Sequence, residues 1–205
     1  MKHISVLLEE VIENLNIKED GKYVDGTVGY AGHSSEVLKR LSEKGFLFAF
    51  DQDDDAIAFS NEKLSKIGNN FTIFRSNFKN MNKFINEKVD GIMFDLGVSS
   101  PQLDEDERGF SFHKDARLDM RMDRTQELDA YKVVNEYSYD KLVSIFFKYG
   151  EEKHARSIAK AIVNKRPIAI DITSQQKEDS DGLQTNIILE KNLIILYNIV
   201  LGRDL

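Results

Sequence analysis

No cysteine occurs in the 205 residues. Disulfides and thiolate metal sites are therefore excluded, no metal site is expected, and a reducing, cytoplasmic setting is the natural home. Long apolar runs are also missing: none reaches the roughly 18 residues that a membrane span needs. Met1-Lys2-His3-Ile4 lacks the apolar stretch of a signal peptide, so no membrane association is expected. An excess of positive charge is absent too. The net charge is −7 and the pI about 5.2, which argues against a globally basic nucleic-acid coat and leaves room only for a local basic face. There is no internal repeat and no low-complexity segment. What remains is an ordinary globular composition, 41% hydrophobic and 31% charged, long enough to bury a real core as one domain or one domain with an insertion.

The first hundred residues alternate between helical and strand patterns. Leu7, Leu8, Val11, Ile12 and Leu15 recur at helical spacing after Ser5, which reads as a cap. Residues 22–25 read as a short strand, 26–33 as a glycine-rich turn, and 34–41 as a helix with Val37, Leu38 and Leu41 inward. Strands follow at 46–50, 71–74 and 89–94, with a helix over 56–67 between the first two of these. Unbroken apolar strands alternating with helices predict a parallel sheet covered on both faces, half of a doubly wound α/β fold. From 101 to 166 no strand is evident. Helices are expected over 131–136, 139–148 and 151–165, the last with Ala155, Ile158, Ala159 and Ile162 on one stripe. The run 187–201 is strongly apolar, and its period does not separate helix from strand.

Between the first strand and the next helix stands Asp25-Gly26-Thr27-Val28-Gly29-Tyr30-Ala31-Gly32-His33, and Asp51 ends the second strand. Glycines there let the backbone approach a ligand, and a strand-end carboxylate can accept ribose hydroxyls. A dinucleotide site would show Gly-x-Gly-x-x-Gly. The spacing here is Gly26-x-x-Gly29-x-x-Gly32 behind an acid, which favours a cofactor with a cationic ammonium and sulfonium, S-adenosylmethionine, over a diphosphate. A plain tight turn with no ligand is the alternative. Phe78 could stack on adenine or sit in the core. His33 could meet the cofactor's carboxylate or be a polar residue of a helix's first turn. Asp95 closes the fourth strand, where cofactor and acceptor would meet, or caps a loop.

The stretch 95–123 is a long polar segment leaving that strand, placed where α/β sheets bind ligands. Its text includes Asp95-Leu96-Gly97-Val98-Ser99-Ser100-Pro101-Gln102-Leu103-Asp104, Arg108-Gly109-Phe110-Ser111-Phe112 and Leu118-Asp119-Met120-Arg121-Met122-Asp123. Together with His3-Ile4-Ser5-Val6-Leu7-Leu8-Glu9-Glu10, Tyr23-Val24-Asp25-Gly26-Thr27, Gly32-His33-Ser34 and Tyr149-Gly150-Glu151-Glu152, it resembles the bacterial 16S ribosomal RNA cytosine-N4 methyltransferases, the RsmH or MraW family, over about residues 3–168.

The resemblance implies a Rossmann-like S-adenosylmethionine-dependent methyltransferase sheet with a helical insertion that helps hold RNA. It also implies methylation of a cytosine amine in the decoding region of the small ribosomal subunit. The family's cofactor contacts fall on Ala31, Gly32, His33, Asp51, Phe78, Asp95 and Gln102. The expected organisation is a cofactor-binding half-domain over 1–104, a loop and helical RNA-facing module over 105–168, and a divergent tail over 169–205. A homodimer is among the expected assemblies.

Cytosine N4 is a poor nucleophile, so the base must be unstacked, aligned with the methyl donor and offered a proton acceptor. Asp95 is the expected catalytic residue, by place rather than motif. Lys153, His154, Arg156, Lys160, Lys165 and Arg166, with Arg108, Arg117, Arg121 and Arg124, are candidate phosphate contacts. Interleaved acids offer internal pairing instead, above all for Arg121. After Ile168 the family text is expected to stop, which would leave the sheet incomplete and the fourth strand an edge. The competing expectation is therefore a truncated relative that at most binds the cofactor.

Overall fold

Short apolar runs bounded by glycine and polar turns become strands in the computed structural model, which describes residues 5–97, 106–110 and 116–168. Gln102 and the tail over 169–205 lie outside the described residues. The chain forms two compact units, Met1–Ser99 and Ser100–Leu205.

In the first unit the order is α1 (Leu8–Leu15), β1 (Lys22–Asp25), α2 (Gly32–Leu38), β2 (Phe46–Asp51), α3 (Asp54–Ser65), β3 (Phe71–Arg75), a 3₁₀ turn (Phe78–Lys83) and β4 (Gly91–Met93). The strands form one parallel sheet in the order β3-β2-β1-β4. The chain therefore steps outward from β1 to β3, then returns across β1 to lay down β4. The order reverses between β1 and β4, and their carboxyl ends frame the crevice where such sheets take ligands.

Alternation along the strands assigns two faces. Tyr23, Leu47, Ala49 and Met93 point to one, and join Ile12 of α1, Val37 and Leu38 of α2 and Leu64 of α3 in a single core. All three helices thus lie on one face. The opposite face carries Phe48, Phe50 and Phe74, whose rings stack on one another, and Phe84 packs on Phe50 and Phe74. Cover on both faces is expected, and among the described residues no helix provides it on the second face. A layer of rings replaces it, and it stops short of β4, the sheet's edge, where Ile92 is 45% and Phe94 46% exposed.

Two boundaries differ from the pattern for physical reasons. Ser5 does not cap α1. Leu7 is the residue before the helix, in the left-handed region with φ 51° and no side-chain cap, and Ser5 sits against Gly32, where a Cβ would overlap its hydroxyl. The fourth strand is three residues long rather than six, because only Gly91, Ile92 and Met93 have partners on β1.

In the second unit, α4 (Ala130–Glu136), α5 (Tyr139–Gly150) and α6 (Ala155–Lys165) pack together. Asp129 and Ser138 cap α4 and α5 through their oxygens. The stripe Ala155, Ile158, Ala159 and Ile162 is buried, with Val133, Leu142 and Phe146 beside it in the core. Gly109 has φ 65°, and a Cβ there would strike the Arg117 carbonyl, so the turn requires glycine. Among the described residues no helix is long and apolar enough to cross a membrane.

Candidate functional site

Three carboxylates end strands at the same edge of the sheet or follow one directly: Asp25 ends β1, Asp51 ends β2, and Asp95 lies two residues past β4. Each is held differently. Asp25 is buried; one oxygen accepts the Thr27 N–H at 3.0 Å and the other the Ser34 hydroxyl at 2.6 Å. Burial pushes its carboxyl up to about 6 despite these bonds and the nearby His33. Asp51 gathers backbone donors: Oδ2 accepts from Gly29 at 2.8 Å, and Oδ1 from Gln52 at 2.8 Å and Asp53 at 3.0 Å. Burial raises its carboxyl too, against the pull of those N–H groups. A carboxylate has about four acceptor sites, so roughly one remains for a ligand, fewer than the two a ribose diol would use. Asp95 is the accessible one, its side chain 57% exposed.

The turn between β1 and α2 is strained into shape. Gly29 and Ala31 have φ of 48° and 54°, and the Lys63 ammonium donates to the Tyr30 carbonyl at 3.0 Å. Around Gly29 a Cβ would meet nothing nearer than the Thr27 carbonyl, 3.9 Å away. Its glycine is therefore required by backbone conformation, and the space beside it is open. Gly26 is different, because a Cβ there would overlap the Phe94 ring. Phe78, first in the 3₁₀ turn, meets Phe94 edge-on with centroids 5.1 Å apart.

The expected residues of the first unit therefore converge. Ala31, Gly32 and His33 form the start of α2, and Asp51, Phe78 and Asp95 sit at the carboxyl ends of β2, β3 and β4. His33 is buried, with Nε2 3.0 Å from the Val6 carbonyl and Nδ1 3.8 Å from Asp95 Oδ2. Two further residues hold the site without having been singled out. Thr27 Oγ1 accepts the Asp95 N–H at 2.7 Å, and the Asn77 amide donates to Gln52 Oε1 at 3.2 Å. Asn77 could have been found by its Asx turn onto the Lys79 N–H.

In the second unit most candidate cations serve the fold. Arg121 forms a two-bond pair with Asp119, at 2.7 and 2.8 Å, and donates to the Arg124 and Gln126 carbonyls. Although burial pushes the Asp119 carboxyl up, the guanidinium outweighs it and holds the group below its ordinary range. Arg117 pairs with buried Asp129 at 2.6 Å. Arg108 is buried over Phe110 and donates to the Arg121 carbonyl. Arg166 donates to the carbonyls of Val134 and Tyr137. Lys153, His154, Arg156 and Lys160 stand exposed on or just before α6.

A parallel sheet with order 3-2-1-4, a glycine turn after its first strand and acids at its strand ends defines a protein of the nucleoside-cofactor α/β class. Within that class the chain belongs to the MraW methylase family, whose profile matches residues 1–179. That match runs past Ile168, where the family text was expected to stop. The ribosomal RNA small subunit methyltransferase H of Mycoplasma mycoides is 56% identical over 171 residues, 82% of this chain and 56% of that protein. The protein of the same name from Oceanobacillus iheyensis is 56% identical over 165 residues, 78% of this chain and 51% of that protein. The chain thus spans about half the length of these relatives. A solved rRNA methylase from Streptococcus thermophilus is 20% identical, with a TM-score of 0.41, covering 56% of this chain and 70% of that one.

Proposed function

We propose that this chain binds S-adenosylmethionine and methylates the N4 amine of a cytosine in the decoding region of the small-subunit ribosomal RNA, in the cytoplasm. The observation that carries the cofactor reading is the acidic crevice: Asp25, Asp51 and Asp95 stand around a turn with open space at Gly29. Negative charge there suits a cationic ammonium and sulfonium and repels a diphosphate. When bound, the cofactor supplies an electrophilic methyl group.

The chain's residues supply the rest. Ala31, Gly32 and His33 line the cofactor's side of the turn, with Gln102 joining them by resemblance. Asp51 uses its remaining acceptor site on one ribose hydroxyl. Phe78 offers a ring to the adenine. Asp95, anchored by Thr27, accepts an N–H of the cytosine amine, aligns its lone pair and takes its proton as the methyl is transferred. Exposed Lys153, Arg156 and Lys160 contact RNA phosphates.

Calorimetry with S-adenosylmethionine tests the first part; no heat of binding would overturn it. Transfer of labelled methyl to undermethylated small subunits, lost on Asp95→Ala, tests the second. A cofactor-binding chain without turnover is the second reading, favoured by the open apolar edge at Ile92 and Phe94. Binding without transfer would select it.

A further inference from the structure

His33 is placed to do more than line the cofactor turn. Its Nε2 lies 3.0 Å from the Val6 carbonyl, which can only accept. Nε2 therefore carries the proton in the neutral ring, and Nδ1 holds a lone pair. That lone pair faces Asp95 Oδ2 at 3.8 Å. The ring is 8% exposed, so water does not stand in for this contact on most of its surface. The carboxylate itself is more than half open, on the side where an acceptor base would arrive.

We infer that His33 is a positioning residue for the methyl-transfer reaction, receiving at Nδ1, through Asp95, the proton that leaves the cytosine amine. The inference rests on the proposed methyltransferase function. The balance is simple. The carbon–sulfur bond of the sulfonium breaks as the nitrogen–methyl bond forms, and the sulfur becomes a neutral thioether. The methylated amine gives its N–H proton to the Asp95 carboxylate. Asp95 passes it to Nδ1, which leaves an imidazolium–carboxylate pair, and the imidazolium later releases it to water. No oxidant or further reactant is needed.

Two carboxylates act on the ring: Asp95, and Asp25 at the end of β1, whose own ionisation His33 favours. Asp25 is buried and already accepts from Ser34 and Thr27, whereas Asp95 is open and 3.8 Å from Nδ1, so Asp25 acts on the imidazolium by its charge while the proton passes through Asp95. From the N-terminal segment the ring meets the Val6 carbonyl, which fixes its orientation.

The test is nuclear magnetic resonance on the full chain, with 15N-labelled histidine and 13C-labelled aspartate. The neutral His33 ring should be the Nε2–H tautomer. The Asp95 carboxyl carbon should respond to protonation of the His33 ring nitrogens followed in the same samples, and His33→Gln should abolish that response. Gln keeps a donor for the Val6 carbonyl but has no titrating group. A neutral ring protonated on Nδ1, or an Asp95 signal that does not change when the His33 ring is protonated, overturns the inference. Should His33→Gln unfold, Asp95→Asn gives the reciprocal reading on the His33 ring nitrogens, which should then lose any response to position 95. These signals need no turnover. Absent cofactor binding by calorimetry, with the coupling intact, would therefore fault the function and not the pair.

Discussion

The Gly29 amide lies 2.8 Å from Oδ2 of Asp51, so the strand-end acid that faces the cofactor turn also holds that turn in place. Asp51→Asn should separate these duties. An amide keeps one acceptor oxygen, which can serve Gln52 and Asp53, and turns its NH2 donors toward the Gly29 N–H that Oδ2 served. Leaving such groups unmet costs about 1–3 kcal/mol. The expected outcome is a lower melting temperature and loss of S-adenosylmethionine affinity of roughly tenfold or more, read by thermal unfolding and calorimetry.

Asp25 gives a pH prediction. Its folded carboxyl titrates at about 6, above the ordinary 3.8, with burial the main cause. The fold therefore favours the protonated form. That contribution is full below about pH 4 and is lost as pH rises through about 6. Two units correspond to about 3 kcal/mol at the outside. Asn fits the site, accepting from Thr27 and donating to the Ser34 hydroxyl. Asp25→Asn should thus raise stability at pH 7.5 and flatten the slope between pH 4 and 6, with a residue left by Asp51. It should also weaken binding of a cationic cofactor. Melting curves across that range, with calorimetry at pH 7.5, check both.

Much of this arrangement was legible in the residues. Short apolar runs ending in Asp25 and Asp51 form strands of a parallel sheet as expected, because an unbroken apolar run between helices has to be buried in the sheet. The stripe from Ala155 to Ile162 was legible for the same reason, at helical period. What could not be read was set by tertiary contact. Ser5 looks like a cap, yet a left-handed Leu7 shifts the helix start and sends Ser5 to Gly32. Asp51 looks like a free ribose ligand, yet three backbone N–H groups reach it only once the turn has folded. Arg166 belongs by charge to the RNA face, but carbonyls about thirty residues earlier in the chain hold it.

Gly32 and Ser5 supply a third prediction. Gly32→Ala places a methyl where the Ser5 hydroxyl lies. The sheet core is untouched, so the global cost should be small, about 1 kcal/mol. The N-terminal segment should lift, and the Val6–His33 contact with it. Hydrogen exchange at residues 5–8 should quicken in Gly32→Ala and return toward normal when Ser5→Gly is added. Unchanged protection in the single variant would show that the segment is not held through Gly32.

The edge of β4 supplies a fourth. Ile92 of β4, and Phe94 and Leu96 just beyond it, are 45%, 46% and 57% exposed, and among the described residues β4 has a strand partner on one side only. Such an edge invites pairing between chains, which is the physical basis for a homodimer or looser association. Ile92→Lys should lower the apparent mass in concentration-dependent light scattering and leave the stability within about 0.5 kcal/mol of the parent. An unaltered mass profile would remove β4 as the associating surface.

The cations of the second unit divide into two predicted behaviours. Arg121 is tied to Asp119 by two bonds and to two carbonyls. Arg121→Lys cannot reproduce that fork and should destabilise the unit by about 1–3 kcal/mol, with little change in the salt dependence of RNA binding. Arg156 and Lys160 are exposed on α6, one turn apart. The double variant Arg156→Ala, Lys160→Ala should leave melting nearly unchanged. If both side chains meet phosphates of single-stranded RNA, the slope of log K against log salt should fall by about 1.4, since each contact contributes about 0.7. Filter binding of a small-subunit RNA fragment at several salt concentrations separates the two cases. A slope that moves with Arg121 but not with the α6 pair would mean that RNA lies against the loop before α4, and that the exposed face of α6 is only solvated.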